Sequence, residues 1–109
     1  MTDVEAVRGT IETVLRDDPQ GPALLAQLRD AELSVQPGEV VIRPVPGAVP
    51  AAVPDGPLGT VADVTGDAGE HQGEILVWVQ DGLLSSAEYA WVTDEAPTAW
   101  PDPGHVHVD

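Results

Sequence analysis

Residues Glu74 to Val92, EILVWVQDGLLSSAEYAWV, decide the fold of this chain. Two runs rich in branched and aromatic side chains flank Asp81-Gly82. An Asp-Gly pair between such runs is a strong hairpin signal, because both central residues of a type I′ turn need φ > 0. Ile75, Val77 and Val79 alternate with Leu76, Trp78 and Gln80. In the second run Leu83, Ala87, Tyr89 and Trp91 share one parity, with Leu84, Ala90 and Val92 on the other. Apolar residues therefore occupy both faces, the pattern of central strands covered on each side.

Upstream of the hairpin, Thr2-Asp3-Val4-Glu5 reads as a capping box. Val4, Val7, Ile11, Val14 and Leu15 follow at helical spacing and predict an amphipathic helix over 3–16, stopped by Asp18-Pro19. A shorter helix is expected from Pro22 at N1 to about Asp30, with Leu24, Leu25 and Leu28 on its inner face. Strands at 31–35 and 39–45 are joined by Gln36-Pro37-Gly38, with Leu33 and Val35 facing the same layer as Val40 and Ile42. Five prolines lie in the fourteen residues from Pro44 to Pro57, which favours an extended connection without ladder hydrogen bonds. Another strand is expected at 60–64, and a turn at 66–69 leads into 74–80 and 83–92. Pro97, Pro101 and Pro103 make 93–109 an irregular tail anchored by Trp100, although the alternation of 105–108 leaves a last short strand open. The expectation is a single α+β domain over 1–109: helices within 3–30 packed on an antiparallel sheet of about five strands, with the 74–92 hairpin central.

Composition narrows the function more than any motif does. Nineteen acids stand against four bases, all arginines, for a net charge of −15, and residues 44–109 carry eleven acids and no lysine or arginine. Such a surface repels phosphate backbones and anionic membranes, so neither nucleic acid nor lipid is an expected partner; a basic protein is. The alternative is that acidity serves only solubility. There is no cysteine, so disulfides and thiolate metal clusters are excluded. The acidic, amphipathic start is unlike a signal peptide and no apolar run approaches the ~20 residues of a membrane span, so a cytoplasmic protein is expected.

Chemical motifs are weak throughout. Asp63, Thr65, Asp67 and Glu74 fall at positions of a calcium loop, but Ala68 stands where that loop needs glycine and the flanks read as strands. His105 and His107 could share a metal only with a third ligand from elsewhere. Ser85-Ser86 lacks a nucleophile elbow, the glycines form no phosphate loop, and no carboxylate pair stands out among nineteen acids. No catalytic residue, no cofactor and no metal site is assigned, and no enzyme is expected. Trp78, Tyr89, Trp91 and Trp100 are the only large rings and all lie in the last third. Core packing is one account of them. The other is that Tyr89 and Trp100 face outward beside carboxylates, giving a partner surface of Asp81, Glu88, Tyr89, Asp94, Glu95 and Trp100.

The segment from Gly73 to Pro103, GEILVWVQDGLLSSAEYAWVTDEAPTAWPDP, resembles the C-terminal part of small actinobacterial proteins of unknown function. Their pattern is L-x-V-W-V-x-D-G-x-L-S-x-L-E-Y-A-W-x-T-D-E-x-P-T-x-x-P-x-P. The correspondence runs through Asp81-Gly82, Leu84-Ser85, Glu88 to Trp91, Thr93 to Glu95, Pro97-Thr98, Pro101 and Pro103, with Ala87 where the pattern has leucine. A looser form is similar to the ends of bacterial immunity-like proteins. The resemblance covers about a third of the chain and implies no catalytic residues. Three functions stay open: an acidic inhibitor of a basic partner such as a nuclease toxin, a structural or interaction domain whose charge is only solvating, and a small-molecule or metal-binding protein.

Overall fold

The computed structural model describes residues 4–108. Two helices, α1 (Val4–Leu15) and α2 (Gly21–Arg29), precede seven strands: β1 (Glu32–Gln36), β2 (Glu39–Arg43), β3 (Gly56–Pro57), β4 (Ala62–Thr65), β5 (His71–Gln80), β6 (Leu83–Trp91) and β7 (Val106–Val108). The capping box read at Thr2 lies outside the described residues, as does Asp109. No helix among the described residues is long and apolar enough to cross a membrane.

All strand pairs are antiparallel, in the order β1-β2-β6-β5-β4-β7, and β3 lies beside β5 on the same side as β4. The α+β class and the central hairpin are as expected, with seven strands instead of about five. Asp81 and Gly82 have φ of 54° and 77°, as a type I′ turn requires. Leu33 pairs with Ile42 and Val35 with Val40, so these four residues share one layer, as expected.

Both helices pack on one face of the sheet. Val7, Ile11, Val14 and Leu15 of α1 and Leu24 and Leu28 of α2 meet Val40, Ile42, Ala62, Val64, Ile75 and Val77 in a single buried cluster. Arg8, largely covered, donates from its guanidinium to the Leu28 carbonyl, satisfying an orphan acceptor in the last turn of α2. Asp18 ties the interhelical turn down, accepting from the Gln20 N–H (2.9 Å) and the Thr60 hydroxyl (2.8 Å). Helix α2 starts at Gly21, so Pro22 is its second residue and not its first. Glycine is needed at 21 because a Cβ there would stand 2.5 Å from the Leu15 carbonyl oxygen.

Three expectations are corrected. The hairpin is not covered on both sides: Leu76, Trp78 and Ala90 are half-buried and Glu74 and Glu88 exposed on a face that no helix reaches. Its alternation is also broken by a bulge, since Trp78 pairs with Ser86 and Val79 with Leu84, leaving Ser85 extra. One inserted residue reverses parity, so Leu84 and not Leu83 turns inward with Ala87 and Tyr89. Finally, the proline-rich connection does take ladder-type bonds. After a turn closed by Ala48 N–H to the Val45 carbonyl (3.1 Å), Ala51 N–H donates to Gly82 O (2.8 Å), Gly56-Pro57 pairs with Val79 and Trp78, and Leu58 N–H donates to Val77 O (2.8 Å). The prolines leave other residues to donate, so the segment reads as irregular in sequence yet lies along the hairpin.

Candidate functional site

Strand parity puts Glu39 and Val41 of β2, Ser86, Glu88 and Ala90 of β6, Glu74, Leu76 and Trp78 of β5, and Asp63 of β4 on the open face. Across it, Glu39 stands directly opposite Glu88, and Asp63 opposite Glu74. Glu88 also faces Leu76, and Ala90 faces Glu74. The four carboxylates therefore run diagonally over four neighbouring strands, a span of roughly 14 Å at about 4.8 Å per strand. Val41, Leu76 and Trp78 border the diagonal on one side. Like charges directly opposite each other destabilise a sheet, and among the described residues none of the four carboxylates has a hydrogen bond or ion pair to offset this.

Three of the four arginines lie elsewhere. Arg8 is taken up by Leu28 and Glu5, Arg16 follows α1 and Arg29 ends α2, whereas Arg43 shares the parity of Glu39 and Val41 and lies at the β1–β2 corner of the open face, donating to Ser34 Oγ (3.0 Å) and standing 3.8 Å from Glu32. Positive charge is thus kept to the helical side and to one corner of the open face, four residues along β2 from Glu39 and off the carboxylate diagonal.

At one end of the diagonal the β1–β2 turn and β6 border a shallow, open hollow of about 390 Å³ lined by Pro37, Gly38, Glu39, Glu88, Tyr89, Ala90 and Trp91. Tyr89 N–H donates to Gly38 O (2.9 Å), holding the turn against β6. Gly38 has φ of 83°, and a Cβ there would meet the Trp91 ring at 2.8 Å, so the indole lies against bare backbone. Tyr89 meets the same indole edge-on, with centroids 6.5 Å apart. Trp91 remains 41% exposed.

The six residues expected to form the partner surface do not come together. Asp81 occupies the hairpin turn, and the nine-residue β6 puts roughly 27 Å of strand between it and the exposed loop bearing Asp94 and Glu95. Glu88 is on the open face. Tyr89 and Trp100 do not face outward: they are 4% and 6% exposed, with ring centroids 6.2 Å apart, and the Trp100 indole N–H donates to Gln36 O (2.9 Å). Inward parity and the tail's return across the sheet edge bury both rings, leaving Trp91 and Trp78 as the accessible ones. Glu39 was not singled out from sequence, and only its register with Glu88 marks it.

Burial raises the Tyr89 phenol above its ordinary value of 10.0. The folded state then binds the proton more tightly than the unfolded chain, so this stabilisation is complete below pH ~10 and is lost as pH rises through the folded value. The chain has one tyrosine, no lysine and no cysteine, so little else titrates there. Urea midpoints should fall as pH rises above about 10, and Tyr89→Phe should flatten that fall.

The other constellations disperse. Asp63 faces Glu74, Thr65 Oγ1 lies 3.1 Å from His107 Nε2, and Asp67 Oδ1 lies 2.9 Å from His105 Nε2, so the calcium register does not converge and the two histidines have separate partners. Among the described residues no group of three or more His, Cys, Asp or Glu is placed to hold a metal ion. A second cleft, of about 400 Å³, lies among Pro19, Val53, Pro54, Pro57 and Leu58, but its polar side chains, Asp18 and Thr60, are bonded to each other. Comparison with family models, curated proteins and solved structures finds no match.

Proposed function

We propose that this protein is a non-catalytic acidic binding domain whose partner is a basic protein, in the manner of an immunity protein that neutralises a nuclease toxin. The observation that carries the reading is the diagonal of four uncompensated carboxylates on an uncovered sheet face, in a chain of net charge −15. A fold gains nothing from opposed like charges at the centre of its sheet. A cationic partner turns the same arrangement into attraction, and the wider negative field speeds encounter. Val41, Leu76 and Trp78 supply apolar area that contact would remove from water.

Association with a basic nuclease domain encoded beside the gene, followed by stopped flow, tests this. The association rate should fall steeply from low salt to about 0.5 M while dissociation changes little, because long-range steering acts on encounter. Salt-independent kinetics, or no binding to such a protein, would leave the acidity as a device for solubility.

A further inference from the structure

We propose that the cleft between the interhelical turn and the proline-rich segment binds a small ligand that carries a protonated amine on an apolar body. The cleft holds about 400 Å³, within the range of small-molecule sites. Pro19, Val53, Pro54, Pro57 and Leu58 give it an aliphatic lining, with no aromatic side chain among the lining residues. Its walls are set before anything enters. Proline fixes φ at three of these positions. Leu58 N–H is bonded to Val77 O (2.8 Å), Gly56-Pro57 pairs with β5, and Asp55 Oδ1 accepts from Asp81 N–H (2.8 Å). A cleft formed in advance loses little to ordering when a ligand enters.

Asp18 decides the charge of that ligand. It is only 9% exposed, yet among the described residues no arginine or histidine forms an ion pair with it. Its two hydrogen bonds come from neutral groups, Gln20 N–H to Oδ2 (2.9 Å) and the Thr60 hydroxyl to Oδ1 (2.8 Å). A carboxylate has about four acceptor sites, so about two remain. Thr60 gives its one proton to Asp18, which leaves its own oxygen able only to accept. The two polar side chains lining the cleft therefore offer acceptors, beside a covered charge that neutral bonds hold but do not neutralise. An ammonium supplies three donors, and a bond between two charged groups is about twice as strong as a neutral one. An anionic ligand is repelled, and an alcohol leaves the charge uncompensated. Bracing of the turn accounts for the two bonds of Asp18 but not for the aliphatic hollow beside them. None of the lining residues belongs to the open-face diagonal, so this site does not rest on the basic-partner reading.

The probe is cyclohexylmethylamine, compared with the neutral cyclohexylmethanol by NMR titration at about 0.15 M salt, where loose attraction to surface acids is screened. The amine should shift the Val53 and Leu58 methyl signals saturably and bind about tenfold more tightly than the alcohol. Asp18→Asn keeps an oxygen for the Gln20 N–H but removes the charge, and should bring the two probes to within about twofold of each other. Val53→Phe leaves Asp18 in place and fills the cleft, so it should abolish the methyl shifts; it carries the test if Asp18→Asn does not fold. Equal binding of the two probes by the unaltered protein would overturn the site. So would the absence of a saturable shift, or shifts that map to Glu39, Glu74 and Glu88 in place of Val53 and Leu58. Tighter binding of N-acetyl-lysine methylamide than of cyclohexylmethylamine would give the cleft to a partner's lysine side chain and also overturn the small ligand. Each of these failures leaves the basic-partner reading standing.

Discussion

Gly82→Val should lower the unfolding free energy by about 3 kcal/mol, the sum of left-handed backbone strain and a lost hydrogen bond. Valine resists the φ of 77° at this position. Its Cβ would also stand 2.7 Å from both the Ala51 carbonyl oxygen and Pro50 Cβ, pushing away the segment whose Ala51 N–H bonds to Gly82 O. For a chain of this size such a loss is a drop in melting temperature of roughly 10–20 °C. Asp81→Asn is the contrast. Asparagine tolerates φ > 0, and the bond to Asp55 Oδ1 comes from the backbone N–H of residue 81, so stability should stay within about 0.5 kcal/mol. A melting temperature for Gly82→Val close to that of the parent would mean that neither the turn nor its packing is as described.

The second large effect lies at Gln27, a polar side chain only 4% exposed. Its amide nitrogen donates to Gly82 O (2.8 Å) and Val49 O (3.0 Å), and its oxygen accepts from Leu84 N–H (2.8 Å). One side chain on α2 thus joins the hairpin turn to the proline-rich segment. Gln27→Leu keeps the volume but strands a buried N–H and weakens two carbonyls, for a cost of about 3 kcal/mol. Hydrogen exchange should report it locally, with the Leu84 amide losing protection before the centre of β5 does. Full retention of stability would show that water replaces the glutamine at no cost.

These two positions also mark how far the sequence could be read. Asp81-Gly82 announced the turn because few residues adopt φ > 0, a local property. Gln27 gave no signal, because its three partners lie 22 to 57 residues away. The bulge at Ser85 is equally silent: nothing in LLSSAEY marks which residue is extra, and simple alternation therefore puts Leu83 instead of Leu84 on the side of Ala87. The two apolar faces of the hairpin suggested two covering layers, yet both helices pack on the same side and leave Trp78 and Leu76 half-buried. Trp100 was legible as an anchor, but its burial with Tyr89 removed both from the expected partner surface. Glu88 was legible and Glu39 was not, since pairing β2 with β6 spans more than forty residues of chain and is a tertiary fact.

The central claim is that the open-face carboxylates exist for a partner and not for the fold. Thermal unfolding of free Glu39→Gln/Glu88→Gln tests this most directly. If the acids serve a partner, removing a directly opposed like-charge pair should stabilise the isolated protein by a few tenths of a kcal/mol, and the gain should shrink as salt screens the repulsion. The same variant should bind a basic partner more weakly. A lower melting temperature at low salt, or stability and binding lost together, would mean that Glu39 and Glu88 hold the sheet itself and would contradict the account.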